Sequence, residues 1–308
     1  MWGSNMKHFL LKLFSFFIII ILVDFCCGFI CDYLQGHARG GATRQFHDIV
    51  TKDCHDVIIL GSSHARQHYD TAVLDQKLKL DCYNAGYDGN GVVLAYPILV
   101  NILNRCKPKL VICDLTRNFD IMTNRFDVGN TRYISRLKPY YRIPIVSEVI
   151  KSVSYADYIQ VHSGMYRHNS KIISLLSDYF LNTKMDVKGF APLKGKIAEV
   201  RPEVLPMDNT PDPLKLHWLQ ELAKLKDEYN LNMVWVLSPQ YYCNTSSHAD
   251  LKIAKEIAAN HGILFLDYYF DSSFVGHKEL FRNPTHLNAD GARLFSERFA
   301  EDVKTLLE

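Results

Sequence analysis

Two short runs near opposite ends of the chain carry the residue types that acyl chemistry uses. The first is Ile59-Leu60-Gly61-Ser62-Ser63-His64-Ala65-Arg66. Apolar Val57-Ile58-Ile59-Leu60 reads as a buried strand, closed by a glycine and two serines and followed by a segment with helical potential. A serine at the carboxyl end of a buried parallel strand stands where α/β sheets place ligands. At the start of a helix it also lies near backbone N–H groups that can hold an anion. Alone, Gly-Ser-Ser is most simply a turn with an N-cap. The second run is Asn283-Pro284-Thr285-His286-Leu287-Asn288-Ala289-Asp290-Gly291, a histidine in a turn just before an amphipathic helix. A serine hydroxyl as nucleophile and a neutral imidazole as its base are the minimum for acyl transfer.

Together the two runs resemble the SGNH/GDSL hydrolase superfamily, in which Gly-x-Ser follows the first strand and Asp-x-x-His precedes the last helix. Thr285-His286-Leu287-Asn288 with Gly291 resembles its membrane-anchored bacterial branch, related to polysaccharide O-acetylation and D-alanylation factors. The resemblance spans about residues 56 to 308, close at the first and fifth blocks and loose between them. It implies a serine-dependent esterase or O-acyltransferase, with acetyl as the acyl group, acting on cell-surface glycan outside the cytoplasm. Ser63 takes the nucleophile position and His286 the base; Ser62 is the alternative nucleophile, and the Gly-x-Ser register favours Ser63. The Ser63 N–H is one oxyanion donor. The second block points to Gly89 within Asn84-Ala85-Gly86-Tyr87-Asp88-Gly89-Asn90-Gly91, where a glycine allows close backbone approach, though these glycines suit a plain loop equally. The third block points to Asn118 after Leu110-Val111-Ile112-Cys113, without the family's Gly-x-Asn-Asp; Asn90 is the second candidate.

The main departure is Asn283, where the family has an aspartate. In the serine-protease triad an amide in place of the carboxylate lowers turnover by ~10⁴. An asparagine oxygen still accepts from an imidazole N–H, so a Ser63–His286 dyad is one reading. Asp267 or Asp271 substituting for the missing carboxylate is another. A third is a catalytically weakened binding or accessory protein of an envelope assembly. His64 directly follows Ser63 and suits substrate contact or, more simply, the surface, and His68 one turn later is expected at the surface.

The elements that must position these residues alternate along the chain. Strands are expected at Val57–Leu60, Leu80–Tyr83, Leu110–Cys113, Met233–Leu237 and Ile263–Leu266, short apolar runs suited to a parallel sheet covered on both faces. Between them lie helical stripes: Leu214, Trp218, Leu222 and Leu225; then Ala254, Ile257 and Ala258 before Gly262; and last Phe295, Phe299, Val303 and Leu306. The alternation implies a three-layer α/β/α sandwich with a mainly parallel five-stranded sheet, its strand ends and Ser63 on one edge. Residues 121–212 break this rhythm and read as an insertion walling the site. Its runs Met165–Ser170 and Lys188–Leu193 suit helix surface and turn, or substrate contact.

Residues 1–31 read as a membrane anchor, 32–55 as a linker and 56–308 as the SGNH-like domain. The apolar stretch from Phe9 to Ile30 is interrupted by Lys12, Ser15 and Asp24, and about 20 apolar residues span a bilayer as a helix. Asp24 would cost roughly 3 kcal/mol at the bilayer centre. Lys7 and Lys12 favour a cytoplasmic amino terminus with the remainder outside. A cleaved signal peptide is the rival, without a clear small-x-small site. The formal net charge of +2 gives no electrostatic footprint for nucleic acid. The expected partners are an ester-bearing glycan or acyl donor and the lipid bilayer. The eight cysteines have neither zinc spacing nor a disulfide framework and read as buried thiols. No metal or organic cofactor is implied. Asn244-Thr245-Ser246 is a glycosylation sequon by pattern alone.

Overall fold

The structure, a computed structural model, describes residues 2–123, 131–169, 171–181, 183, 186–198, 210–242 and 248–307. The sequon at 244–246 lies outside them. In chain order the elements are α1 (Trp2–Gly36), α2 (Gly41–Thr51), β1 (Val57–Gly61), α3 (Ser63–His68), α4 (Thr71–Leu78), β2 (Cys82–Asn84), α5 (Val92–Leu103) and β3 (Leu110–Asp114). Then follow α6 (Pro144–Val153), α7 (Tyr155–Gln160), α8 (Gly164–His168), α9 (Ile172–Phe180), α10 (Pro213–Glu228), β4 (Met233–Leu237), α11 (Ala249–Asn260), β5 (Leu264–Asp267), β6 (Phe281–Asn283), β7 (His286–Leu287) and α12 (Ala289–Val303). The stretch read as a linker carries α2. The chain forms two compact units: residues 1–47 with 136–184, and residues 48–135 with 185–308.

The second unit holds a five-stranded sheet in the order β2-β1-β3-β4-β5, with every pairing parallel. Side chains alternate across a strand, and here the two parities serve two helical layers. Val57, Ile59, Leu110, Ile112, Val234 and Val236 form one core with Tyr69 and Leu74 of the α3–α4 segment and Phe295 and Phe299 of α12. Ile58, Val111 and Trp235, all fully buried, carry the other parity, and α5 packs on that side of β1 with α10 beyond it. The sandwich and all five strands match the sequence reading to within about two residues. The stripe on the last helix is shorter than expected, because α12 ends at Val303 and Leu306 lies in a 3₁₀ turn.

The expectation on the cysteines is corrected at two places: Cys54 and Cys106 form a disulfide, and Cys26 is exposed on α1. Val57 and Leu110 stand side by side at the start of β1 and β3, so the residues just ahead of each strand are neighbours. Arg105 reinforces the junction by donating to the carbonyls of Ile49 and Val50, at 2.7 and 2.8 Å, at the end of α2. Cys82 and Cys113 are buried thiols, as expected.

In the first unit α1 is long and apolar enough to cross a membrane, by length and composition. Its side chains from Phe9 to Phe25 are almost all exposed. Against its carboxyl half pack α8 and α9, with a small core of Cys31, Leu34 and Leu175.

Candidate active site

β1 must end abruptly to present a serine. Gly61 does this at φ 144°, with its backbone so near the Asp114 carbonyl that no Cβ fits. Ser62 then caps α3: its Oγ accepts from the His64 N–H at 3.3 Å and meets Thr116 Oγ1 at 2.6 Å. A buried cap with its hydroxyl already engaged is not a free nucleophile. Ser63 is therefore the first helical residue, where the helix itself provides no acceptor for the N–H.

Ser63 Oγ lies 2.8 Å from His286 Nε2. His286 is aimed by a two-stranded hairpin in which Asn283 of β6 pairs with His286 of β7 around Pro284-Thr285. Asn at the first position of a turn and Pro at the second suit such a reversal. Asn283 Oδ1 accepts from the N–H groups of Thr285 and His286, both at 3.0 Å, and lies 3.0 Å from His286 Nδ1. Thr285 Oγ1 meets the same ring nitrogen at 3.0 Å and donates to Asn283 Oδ1 at 3.1 Å. An oxygen beside Nδ1 selects the tautomer with its proton there, leaving Nε2 to accept from Ser63. Burial holds the His286 imidazole below its ordinary value, with the Asp88 carboxylate pulling the other way, so the ring is neutral at pH 7. Asp267 and Asp271 do not substitute for a carboxylate here. Asp267 pairs with Lys255 at 3.0 Å, and Asp271 caps the Ser273 N–H at 2.8 Å.

His64 and His68 are buried, which corrects the surface expectation. The phase of α3 turns His64, Ala65 and His68 inward. His68 Nε2 accepts from the Leu287 N–H at 3.1 Å, so its proton sits on Nδ1 and goes to Ser238 Oγ at 2.9 Å. Burial lowers both rings, His64 to about 3. The rings stack 4.8 Å apart, and His64 meets His286 edge-on at 5.2 Å. Beneath them, Tyr69 donates to Asp114 at 2.7 Å, and burial pushes that carboxyl up to about 8.

The loop that holds Gly89 and Asn90 follows Asp88, whose carboxylate acts on the His286 ring. Gly89 is exposed at φ 67° with open space around it. Asn90 is buried and donates to the Asp88 carbonyl at 3.0 Å, within its own loop. That loop is tied to α3 by the Arg66–Asp88 ion pair. Asn118, at φ 60°, has its N–H on the Asp250 carboxylate at 2.8 Å. The run Lys188–Leu193 lies along the sheet edge, with the Lys188 carbonyl accepting from the Asn84 N–H and Phe190 buried in the core. The sequence reading names Thr285 and His68 without these contacts and does not reach Ser238. Thr285 could have been found from its place inside the Asn283–His286 turn; His68 and Ser238 meet only through the fold.

The geometry defines a three-layer α/β protein with a serine–histidine pair at the carboxyl edge of a parallel sheet. No protein-family profile matches the chain, and no curated protein matches it. Among solved structures it is similar to an acetyl xylan esterase, with 12% identity and a TM-score of 0.41, covering 80% of this chain and 99% of that one. An alpha/beta hydrolase from the metagenome of Lake Arreo, Spain, has 14% identity and a TM-score of 0.41, covering 82% and 95%. A putative lipolytic protein of the G-D-S-L family from Desulfitobacterium hafniense has 14% identity and a TM-score of 0.37, covering 80% and 97%.

Proposed function

We propose that this protein is a serine-dependent esterase or O-acyltransferase of the SGNH type, acting on ester-bearing glycan outside the cytoplasm. The observation that carries the reading is the 2.8 Å approach of Ser63 Oγ to the neutral, oriented ring of His286. Ser63 attacks the ester carbonyl as its proton passes to His286 Nε2. The Ser63 N–H faces the developing oxyanion. His286 returns the proton to the leaving alkoxide, and water or an acceptor hydroxyl then takes the acyl group from Ser63. Acetyl and a glycan target come from the family resemblance alone.

The location rests on α1 as a single-pass anchor with Lys7 and Lys12 on the cytoplasmic side. The Cys54–Cys106 disulfide supports it, because such bonds persist in oxidising compartments. The amide at 283 favours a second reading, an accessory protein of an envelope assembly that keeps the fold without turnover.

Purified full-length protein, assayed with short-chain aryl esters and a fluorophosphonate probe, separates the two. The enzyme reading expects hydrolysis and labelling that Ser63→Ala abolishes. Neither activity from wild type or from Asn283→Asp would leave the accessory reading standing.

A further inference from the structure

The first unit shows an inverted pattern in its outer helices. In α9, Leu175 and Asp178 are buried, and Leu175 packs with Cys31 and Leu34 of α1. Ile172, Ile173, Leu176 and Phe180 are exposed, Ile173 at 85% and Phe180 at 65%. Their spacing places all four within about 100° of the helix circumference, so they form one outward apolar stripe. Ile159 of α7 and Met165 of α8 are exposed as well. A solvated helix shows the opposite arrangement.

This unit grips the last third of α1. The Asp24 carboxylate accepts from Ser163 Oγ at 2.6 Å and from the N–H groups of Gly164 and Met165 at 2.9 Å, so it caps α8. Asp32 meets Arg167 at 2.7 Å and His168 at 2.8 Å. Gly28 and Gly164 touch backbone to backbone, and a Cβ on Gly28 would lie 2.7 Å from Gly164 Cα. The exposed apolar run of α1 from Phe9 to Ile30 is about 33 Å long at 1.5 Å per residue, against a hydrocarbon core of about 30 Å. Asp24 thus falls roughly 9 Å inside the end of that run, with α8 bound to it at the same depth. A groove of about 600 Å³ runs beside α1, lined by Ile21, Phe25 and Phe29 and by Arg142 and His162. Leaving out Lys7 and Lys12 at the far end of α1, the unit has nine Lys and Arg against five Asp and Glu, whereas the other unit has 24 against 28.

We infer that α7 to α9 are seated in the outer interfacial layer of the bilayer that α1 crosses, with the α9 stripe in contact with acyl chains. The occupant is lipid. The helix that carries the stripe packs on α1 at Cys31 and Leu34, just past the end of the apolar run, the depth of Asp24 places the start of α8 at the inner edge of the headgroup layer, and the basic balance suits anionic headgroups. The seat also explains Asp24: three donors from α8 satisfy a carboxylate that hydrocarbon would leave bare. This inference rests on α1 being a membrane anchor, and the test separates the two.

The full chain is reconstituted in phosphatidylcholine–phosphatidylglycerol nanodiscs containing a lipid with a diazirine at mid-chain, photolysed and mapped by mass spectrometry. Label is expected on α1 and, within a few-fold of that level, on peptides spanning 155–181. Ile173→Asp combined with Phe180→Asp should lower label on the α9 peptide at least tenfold while label on α1 persists. Label on α1 with none on 155–181 above that on peptides holding Phe270 or Leu294 overturns the seat and leaves the anchor. No label on α1 overturns both. Cross-linking of the 155–181 peptides to a second copy of the chain in place of lipid also overturns the seat.

Discussion

The carbonyl oxygen of Asn283, not its amide nitrogen, faces Nδ1 of His286 at 3.0 Å. The N–H groups of Thr285 and His286 hold it there. Because two backbone donors fix the amide, the tautomer a base needs is kept, and what the site lacks is negative charge. Asn283→Asp should accept the same donors and add that charge. Ester cleavage should rise at least tenfold, within the ~10⁴ by which carboxylate and amide differ in the serine-protease triad. The acid limb of the pH–rate profile should move up by about one to three units. Equal rates in both proteins would remove the dyad from the mechanism.

The unmodified protein should lose activity only at low pH. Burial lowers the His286 pKa from its ordinary 6.5, and in the proposed mechanism the neutral ring is the base. The rate is therefore full above that pKa and falls as acid protonates Nε2. A profile of kcat/KM with an acid limb above pH 6.5 would contradict this ionisation.

His68 acts as a positioning residue, because it takes the N–H of Leu287 next to the base. His68→Phe leaves a buried donor unpaired, at a cost of roughly 1–3 kcal/mol. With β7 released, kcat should fall while KM for a small aryl ester stays within about twofold. His68→Gln, which can still accept, should recover part of the rate. Equal loss of stability with no change in kcat would reduce His68 to packing.

Asp114 should make stability depend on pH in an unusual direction. Its folded pKa of about 8 lies above the unfolded carboxyl value. Its contribution is fully present below about pH 4, the unfolded value, and is lost as the pH rises through 8. Asp120, pushed by burial to about 6, adds the same sign. Asp114→Asn should flatten the fall in melting temperature between pH 5 and pH 8.5. Parallel melting profiles for the two proteins would show that Asp114 does not hold its proton.

The Cys54–Cys106 bond closes a loop across a sequence separation of 52. On the chain-entropy account a loop of that size is worth about 4 kcal/mol. Cys54→Ser with Cys106→Ser should lower stability by an amount of that order in chemical denaturation, and reductant should do the same to wild type. Indifference to reductant would mean that the two thiols are free.

The sheet was legible because buried parallel strands are short apolar runs bounded by turn residues, and β4 was found to the residue. Ser63 and His286 were legible because each sits in a local motif: strand–glycine–serine, and turn–histidine–helix. His68 was not, since nothing in a six-residue helix says which way its fifth or sixth side chain turns until α12 and β7 pack against it. The disulfide was hidden for a similar reason. Its two cysteines become neighbours only once β1 and β3 align, and no short spacing records that. Asp24 looked like a defect in the anchor, because its three donors lie far along the chain at 163–165.

Ser63 and His286 are 223 positions apart in the chain, and α3 holds the later segment at two points, through Ser63 to His286 and through His68 to Leu287. During synthesis the serine therefore emerges long before anything can activate it. A chain still being made, or cut short ahead of β6, lacks His286 and so the partner of the Ser63 hydroxyl. Under the proposed mechanism, reactivity arrives only with the closing hairpin and α12, so an unfinished product has no activated serine.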